Sequence, residues 1–450
     1  MKKVLLSLMA MLLLAVSVNA RPVDVGKARQ VAETWMTSMG MKNVSVLQDI
    51  TAQTPFSEFY VFAAAEGGFI LVSADDCVMP VLGYSLTTKF DAKGEIPVNV
   101  RSWLDDYENQ IRYWKQQEAR RNGLSTPPSA TADQWQMLAN GEMPPAPLTT
   151  AVAPMLSTTW DQYPYYNAMC PYDASEEYTG NNRVVTGCVA TATAQIMKYH
   201  NYPTTGYGSH SYNHGVYGAQ SANFGATTYQ WSNMPNELTA TSSTTQVNAV
   251  ATLIYHIGVA DNMDYGLAVN GGSSAQNYNV NELRASSQTA LMKYFKYSPD
   301  MRVICRDDYT HDAYCNILRG ELDQQRPILY SGHGHGGHSF VCEGYNNQDQ
   351  FYINWGWSGY YDGYFTVDVF TPGGGGAGSS SNHDYSYSNV AIINIRPNTN
   401  WNTSATTTVA LSSTGGDAGC GVTGAGSYAF GDTITMEAYT SDGYRFAGWT

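Results

Sequence analysis

Seven cysteines, Cys77, Cys170, Cys188, Cys305, Cys315, Cys342 and Cys420, are an odd number, so at least one thiol stays unpaired within the chain. They lie without the short paired spacing of a zinc site. Cys188 stands apart by its surroundings, RVVTGCVATATAQIMKYHNYP. A β-branched run and a glycine lead there into an Ala-rich stretch that reads as a helix ending near His200, before Pro203. The cysteine then sits in the first helical turn. A thiol so placed feels the positive end of the helix dipole and, beside an imidazolium, ionises well below its usual pKa of about 8.5. From this segment alone the competing reading is a small residue packed at a helix start.

The second chemical element is SGHGHGGHSFVCEGYNNQDQFYINWGWSGYYDGYF, from Ser331 to Phe365. Gly336 and Gly337 permit a close backbone approach before His338, which opens a strand-like run to Glu343. Asn354 follows sixteen residues later, at the end of the next apolar run, as on the neighbouring strand of a hairpin. An Asn carbonyl beside the imidazole would fix its tautomer, as Asp does in serine triads, with Trp355 and Trp357 shielding the bond. A metal reading of His333, His335 and His338 competes with this one. No carboxylate lies among those histidines, and the first one downstream is Glu343.

These residues need elements to hold them. The apolar positions Val25, Ala28, Ala32, Trp35, Met36 and Met39 recur at helical spacing. Two apolar runs between Phe59 and Leu82, parted by Glu66-Gly67-Gly68, read as a hairpin. Val100, Trp103, Leu104, Tyr107, Ile111 and Trp114 form a second helical stripe. Residues 21–121 are thus expected to form a small α+β domain. Residues 122–151, rich in Pro, Ala, Ser and Thr, read as an exposed, cleavable linker. Residues 152–397 mix helical and strand-like stretches and hold the chemistry. Residues 398–450 read as a further linker and an incomplete β-module, whose abrupt end at Thr450 suggests that the natural chain continues.

At 450 residues and 43% hydrophobic content, each part has room for its own core. The net charge of -14, without clustered Lys and Arg, argues against nucleic acid as partner. Lys2 and Lys3, the apolar run Val4 to Val16 and the small-residue sequence ending at Ala20 read as a secretory signal peptide over residues 1–20. The run is too short to span a bilayer. A secreted or cell-surface protein with no membrane span is the expectation. Spacing alone leaves pairing of Cys305 with Cys315 open.

The blocks TGCVATATAQIMKYHNYP (Thr186 to Pro203), NMDYG (Asn262 to Gly266), GGHSFVCEGY (Gly336 to Tyr345) and NWGWSGYYDGYF (Asn354 to Phe365) closely resemble the streptopain family of bacterial cysteine proteases, in the papain-like superfamily. The glycine-rich stretch from Thr371 and SNVAIINIRP look like the end of that family's catalytic domain. FILVSADD resembles its propeptide. The GYRFAGWT ending is similar to small β-repeats of bacterial surface proteins.

The resemblance implies an α+β, papain-like catalytic domain of two subdomains, one helical and one an antiparallel sheet. A propeptide that inhibits it in cis would precede it. It implies Cys188 as nucleophile, His338 as base and then acid, and Asn354 with Trp355 as support. It also implies an oxyanion donor a few residues before the cysteine. Relatives often carry Gln six residues upstream, where this chain has Asn182, an amide one methylene shorter. The loop holding Met263 and Tyr265 resembles a substrate-pocket wall, which implies preference for an apolar residue just before the one at the scissile bond. Substrates would be proteins or peptides, with no cofactor required. The alternative, motivated by the C-terminal module, is a catalytically silent surface adhesion or binding protein on a protease-like scaffold.

Overall fold

The computed structural model describes residues 22–94, 96–120, 129–275, 286–332, 338–367, 389–401, 406–414, 419–429, 434–441, 443 and 445–448. The signal-like segment 1–20, the residues His333, His335, Gly336 and Gly337, and the glycine-rich stretch from Thr371 lie outside these.

Helix α1 (Val25–Ser38) starts where the Asp24 carboxylate accepts from the Lys27 amide at 3.0 Å, the usual satisfaction of an orphan donor at an N-cap. It buries Ala28, Val31, Ala32, Trp35 and Met36. Strands β1 (Gln48–Asp49), β2 (Phe59–Ala63), β3 (Phe69–Ser73) and β4 (Val81–Ser85) follow, with β2 and β3 joined as the expected hairpin. Their alternation divides two cores. Phe62, Ile70 and Val72 pack with α1, while Phe59, Val61, Phe69 and Leu71 face the opposite way. There they meet Val100, Leu104 and Tyr107 of α2 (Val98–Arg120).

Residues 129–139, read from composition as exposed linker, are instead helical. Helix α3 (Ser129–Ala139) buries Trp135 and Leu138 in the core that holds α1. The Trp135 indole donates to the Val78 carbonyl at 2.9 Å. Two apolar residues three apart give even this Ala- and Ser-rich stretch one face to bury.

The helical half of the next region holds α4 (Cys188–His200), the hairpin of β5 (His210–His214) and β6 (Gly218–Ala222), α5 (Thr244–Ala260) and α6 (Ser286–Tyr294). Its core includes Trp160, Phe224, Ile254 and Ile257. The sheet half holds β7 (Arg302–Cys305), α7 (His311–Asp323), β8 (Ile328–Gly332), β9 (His338–Tyr345), β10 (Phe351–Asn354), β11 (Gly363–Phe365) and β12 (Val390–Ile393).

The two sheets are one. Ten strands run β1-β2-β3-β4-β11-β10-β9-β8-β12-β7, and the N-terminal part joins the rest where β4 pairs antiparallel with β11, Tyr84 opposite Tyr364 and Gly83 opposite Phe365. Gly83 is required there. A Cβ would stand 2.6 Å from the Phe365 ring and 3.0 Å from the Tyr364 carbonyl oxygen. Trp103 of α2 then inserts among Tyr330, Phe340 and Trp355, with ring centroids 5.8 Å away in each case.

Beyond these lie two small two-stranded sheets, β13 (Thr406–Val409) with β15 (Gly426–Ala429) and β14 (Gly421–Thr423) with β16 (Glu437–Tyr439). Cys170, Cys188 and Cys342 are free thiols. Among the described residues no helix is long and apolar enough to cross a membrane.

Exposure and the absence of regular structure in residues 140–151 make that stretch the expected site of limited proteolysis. Mass spectrometry of the fragments should show cuts within 140–151 and α3 retained on the N-terminal piece. Trp135→Ala should open new cuts within 129–139, because large core truncations of this kind destabilise by about 3–5 kcal/mol.

Candidate active site

Val184 and Val185, buried and outside any regular element, lead into the site. The chain turns into α4 at Gly187, whose φ of 85° suits glycine. A Cβ there would lie 2.8 Å from both the sulfur and the terminal methyl of Met263. Cys188 is the first residue of α4, and every residue from Val189 to Met197 is buried. The Ser339 amide donates to Cys188 Sγ at 3.3 Å. The start of β9, where His338 stands opposite Gly332, therefore meets the start of α4. Burial pushes the Cys188 thiol up, and the amides of Ser339, Val189 and Cys188 itself oppose that rise without overcoming it. The lowering expected from a helix N-terminus is reversed here, because desolvation of the charged form outweighs the amide donors.

His338 borders a narrow cleft with Phe340 on its own strand and Asn99, Ser102, Trp103 and Asp106 of α2. Asn99 fastens that helix to the loop after β10. Its Nδ2 donates to the Trp355 carbonyl at 2.9 Å, and its Oδ1 accepts from the Trp357 indole at 2.8 Å.

Asn354 ends β10 beside Val341 of β9, the neighbouring strand that its spacing suggests. Its side chain is occupied elsewhere than at an imidazole. Oδ1 accepts from Gln195 Nε2 at 3.0 Å and from the Gly356 amide at 3.2 Å, and Nδ2 donates to the Thr158 carbonyl at 2.9 Å. Asn354 thus ties the strand end to α4. Trp355 is buried against Phe340, with centroids 4.6 Å apart, and its indole donates to the Tyr361 carbonyl.

Asn182 does not serve as sequence counting suggests. It adopts φ 53°, and its amide donates to the Glu176 carbonyl at 3.2 Å, closing its own loop. A residue missed from the sequence is better placed. Gln162 is buried, and its carbonyl accepts from the amide of Thr186, two residues before the cysteine, at 3.4 Å. Among the described residues its side-chain amide has no hydrogen bond. Lying far upstream in TTWDQYPYY, it offers no short spacing to reveal it. Met263 is fully buried behind Gly187, whereas Tyr265 sits in the helical core beside Tyr255.

The profile of the peptidase C10 family matches residues 160–365, and that of the Spi protease inhibitor matches residues 20–111. Streptopain of Streptococcus pyogenes is 31% identical over 329 residues, which cover 70% of this chain and 75% of that protein. This chain belongs to the streptopain-like C10 peptidases. A thiol protease/hemagglutinin of Porphyromonas gingivalis, PrtT, is 30% identical over 83% of this chain and 42% of its own length. The solved prointerpain A fragment of Prevotella intermedia superposes with a TM-score of 0.59 at 29% identity, covering 78% of this chain and 99% of the fragment. The chain is accordingly a cysteine peptidase that carries its inhibitory propeptide, on a papain-like α+β fold.

Buried carboxyls support the site of this C10 peptidase from behind. Asp362 accepts from the Trp355 amide at 2.8 Å, and Glu343 accepts from the amides of Leu156 and Met155. Burial pushes Asp362 up to about 7 and Glu343 up to about 8. A carboxyl raised above its unfolded value of about 4 favours the folded state most when protonated, and that contribution fades as pH rises toward the folded value. Asp362→Asn should therefore match the wild type in thermal unfolding near pH 4 and become progressively the more stable of the two toward pH 8. A difference in melting temperature that does not change with pH would contradict this.

Proposed function

We propose that this C10 peptidase is a secreted endopeptidase made as a latent zymogen, with Cys188 as nucleophile and His338 as general base. The observation that carries the reading is the Ser339 amide on Cys188 Sγ, which joins the histidine's strand to the cysteine's helix. The Cys188 thiolate attacks a peptide carbonyl, and His338 protonates the leaving amine as the acyl-enzyme forms. Water activated by His338 then releases the product acid. The backbone amide of Cys188 and the side chain of Gln162, in place of Asn182, hold the oxyanion, a donor of this kind contributing about 3 kcal/mol to barrier lowering. Asn354 supports the site by fixing the end of β10 to α4, and Trp355 by packing on Phe340 of the histidine's strand.

Latency follows from α2 lying along the cleft beside His338, fastened by Asn99. The proposed division is a signal peptide at 1–20, a propeptide that runs from 21 through α3 to 139, a linker at 140–151, a catalytic domain at 152–397, and a linker with a β-module at 398–450. Helix α3 remains with the propeptide, so the separating cut falls in 140–151. Met263, packed behind Gly187, supports an apolar pocket wall, and with it a preference for an apolar residue just before the one at the scissile bond. Tyr265, enclosed in the core, acts only through packing. Export through residues 1–20 places the enzyme outside the cytoplasm or on the cell surface, acting on proteins or peptides.

Wild-type precursor should shorten to a catalytic form, while Cys188→Ala stays at full length. Rapid labelling by a thiol-directed peptide inhibitor should need His338. A precursor opened at the linker that neither cleaves an unfolded protein nor labels under reducing conditions would sink the enzyme mechanism and favour the adhesion alternative. Asn99→Ala removes two hydrogen bonds to the loop after β10, each contributing about 1 kcal/mol net, so the propeptide added in trans should inhibit roughly thirtyfold more weakly.

A further inference from the structure

Between the linker and Cys188, residues 158–162 are stitched to two catalytic elements at once. The Trp160 amide donates to Gln195 Oε1 on α4 at 3.1 Å, and Gln195 Nε2 donates in turn to Asn354. Within this knot Asp161 brings a carboxylate. Its Oδ1 accepts from the Gln162 amide at 2.6 Å, its Oδ2 accepts from the Ser358 hydroxyl at 2.6 Å, and the Tyr163 amide also donates to it. The Asp161 carbonyl faces Thr191 Oγ1 of α4 at 3.5 Å. Gln162 is thereby gripped on both sides, by Asp161 at its amide and by Thr186 at its carbonyl. Ser358 lies one residue beyond Trp357, on the loop that Asn99 fastens.

We infer that Asp161 is a positioning residue for peptide hydrolysis, its carboxylate clipping the Gln162 backbone to Ser358 so that the glutamine side chain is presented to the oxyanion from a fixed anchor. The inference rests on the assignment of Gln162 as oxyanion donor. A preorganised donor stabilises the transition state because it need not reorganise as charge develops. A glutamine whose backbone anchor can shift would lose that advantage. The clip is also sensitive to acid. Burial pushes the Asp161 carboxyl up to about 6, opposed by the Ser358 hydroxyl and the amides of Gln162 and Tyr163. The titratable groups facing it are the phenols of Tyr163 and Tyr166, both raised by burial and so neutral in this range. Above about pH 6 the ionised carboxylate accepts from all its donors. Below it, protonation removes an acceptor and loosens the clip.

The test uses full-length precursors carrying Asp161→Asn, Gln162→Ala, Ser358→Ala and the double combinations, processed by immobilised wild-type enzyme. Two rates are read on each matured protein, kcat/KM for a peptide substrate across pH, and alkylation of Cys188 by iodoacetamide, which forms no oxyanion. Removing a donor of this class slows hydrolysis by about a hundredfold or more, and loosening one is expected to slow it about tenfold. Gln162→Ala should therefore show the larger loss and Asp161→Asn the smaller, with alkylation unchanged in both. The double variant should be no slower than Gln162→Ala alone, and the component of the acid limb near pH 6 should vanish with Asp161→Asn.

Additive losses in the double variant, or alkylation slowed in parallel with hydrolysis, overturn the positioning role while leaving the oxyanion assignment standing. Full activity in Gln162→Ala overturns the oxyanion assignment itself. If Asp161→Asn does not fold, Ser358→Ala carries the same test from the other end of the clip. It should show a several-fold loss that disappears in the Gln162→Ala background, and additivity there defeats the inference.

Discussion

The candidate site depends on the turn into helix at Gly187. With φ 85° and no room for a Cβ against Met263, this residue sets where α4 begins, and hence where the Cys188 sulfur points. The helix has little freedom to adjust. Val189 to Met197 are buried on every side, and a close-packed interior transmits a displacement rather than absorbing it. Gln195, two turns along, reaches both Trp160 and Asn354. The cysteine, the segment carrying Gln162 and the loop after β10 therefore share one rigid frame. The meeting of α4 with the first residues of β9 is a consequence of that frame.

The electrostatics of the precursor run against the alignment. A thiolate is the nucleophile, and its population governs rate, yet burial pushes the Cys188 thiol up. Nearby charge does not correct this. The buried carboxyls at Asp161, Asp362 and Glu343 are themselves raised by desolvation, and each accepts backbone amides that orient the loops flanking the site. Geometry and ionisation are thus separate properties here. The precursor holds the starts of α4 and β9 together while burial keeps the Cys188 thiol protonated.

The parts legible in the sequence are those with local signatures. Cys188 opens a helix because a glycine and an Ala-rich run announce it, and His338 opens a strand because a short apolar run, Phe340 to Cys342, follows. The hairpin of β2 and β3 and the stripe of α2 were readable for the same reason. Counting residues fails where the chain between two points does not run straight. Asn182, six residues before the cysteine, sits in a left-handed turn whose amide closes the loop back to Glu176. Asn354 does reach the neighbouring strand, but the register shifts between Tyr352 and Ile353, and a shift of that kind re-aims side chains beyond it. Gln162 and Asp161 carry no signature, because their partners Thr186 and Ser358 are brought to them only by the folded chain. Helix α3 was masked by composition, although Trp135 and Leu138 had the spacing of a buried face.

Inhibitor and enzyme share a core as well as a boundary. Phe59, Phe69 and Leu104 belong to the same apolar cluster as Phe340, Trp355 and Phe365, and the Tyr107 hydroxyl bridges the carbonyls of Leu82 and Thr366 at 3.0 and 2.6 Å. Such continuity would make separation hard if the strand pairing were long. It is short: β4 and β11 match over two residue pairs. Were the propeptide to leave, the strand edge exposed on β11 would be only three residues long, and short edges resist pairing with other chains. The larger change is the withdrawal of Trp103 from among Tyr330, Phe340 and Trp355. That would open an aromatic surface next to His338, so on the proposed mechanism the packing that stabilises the latent form is removed from the place where a substrate would approach the imidazole.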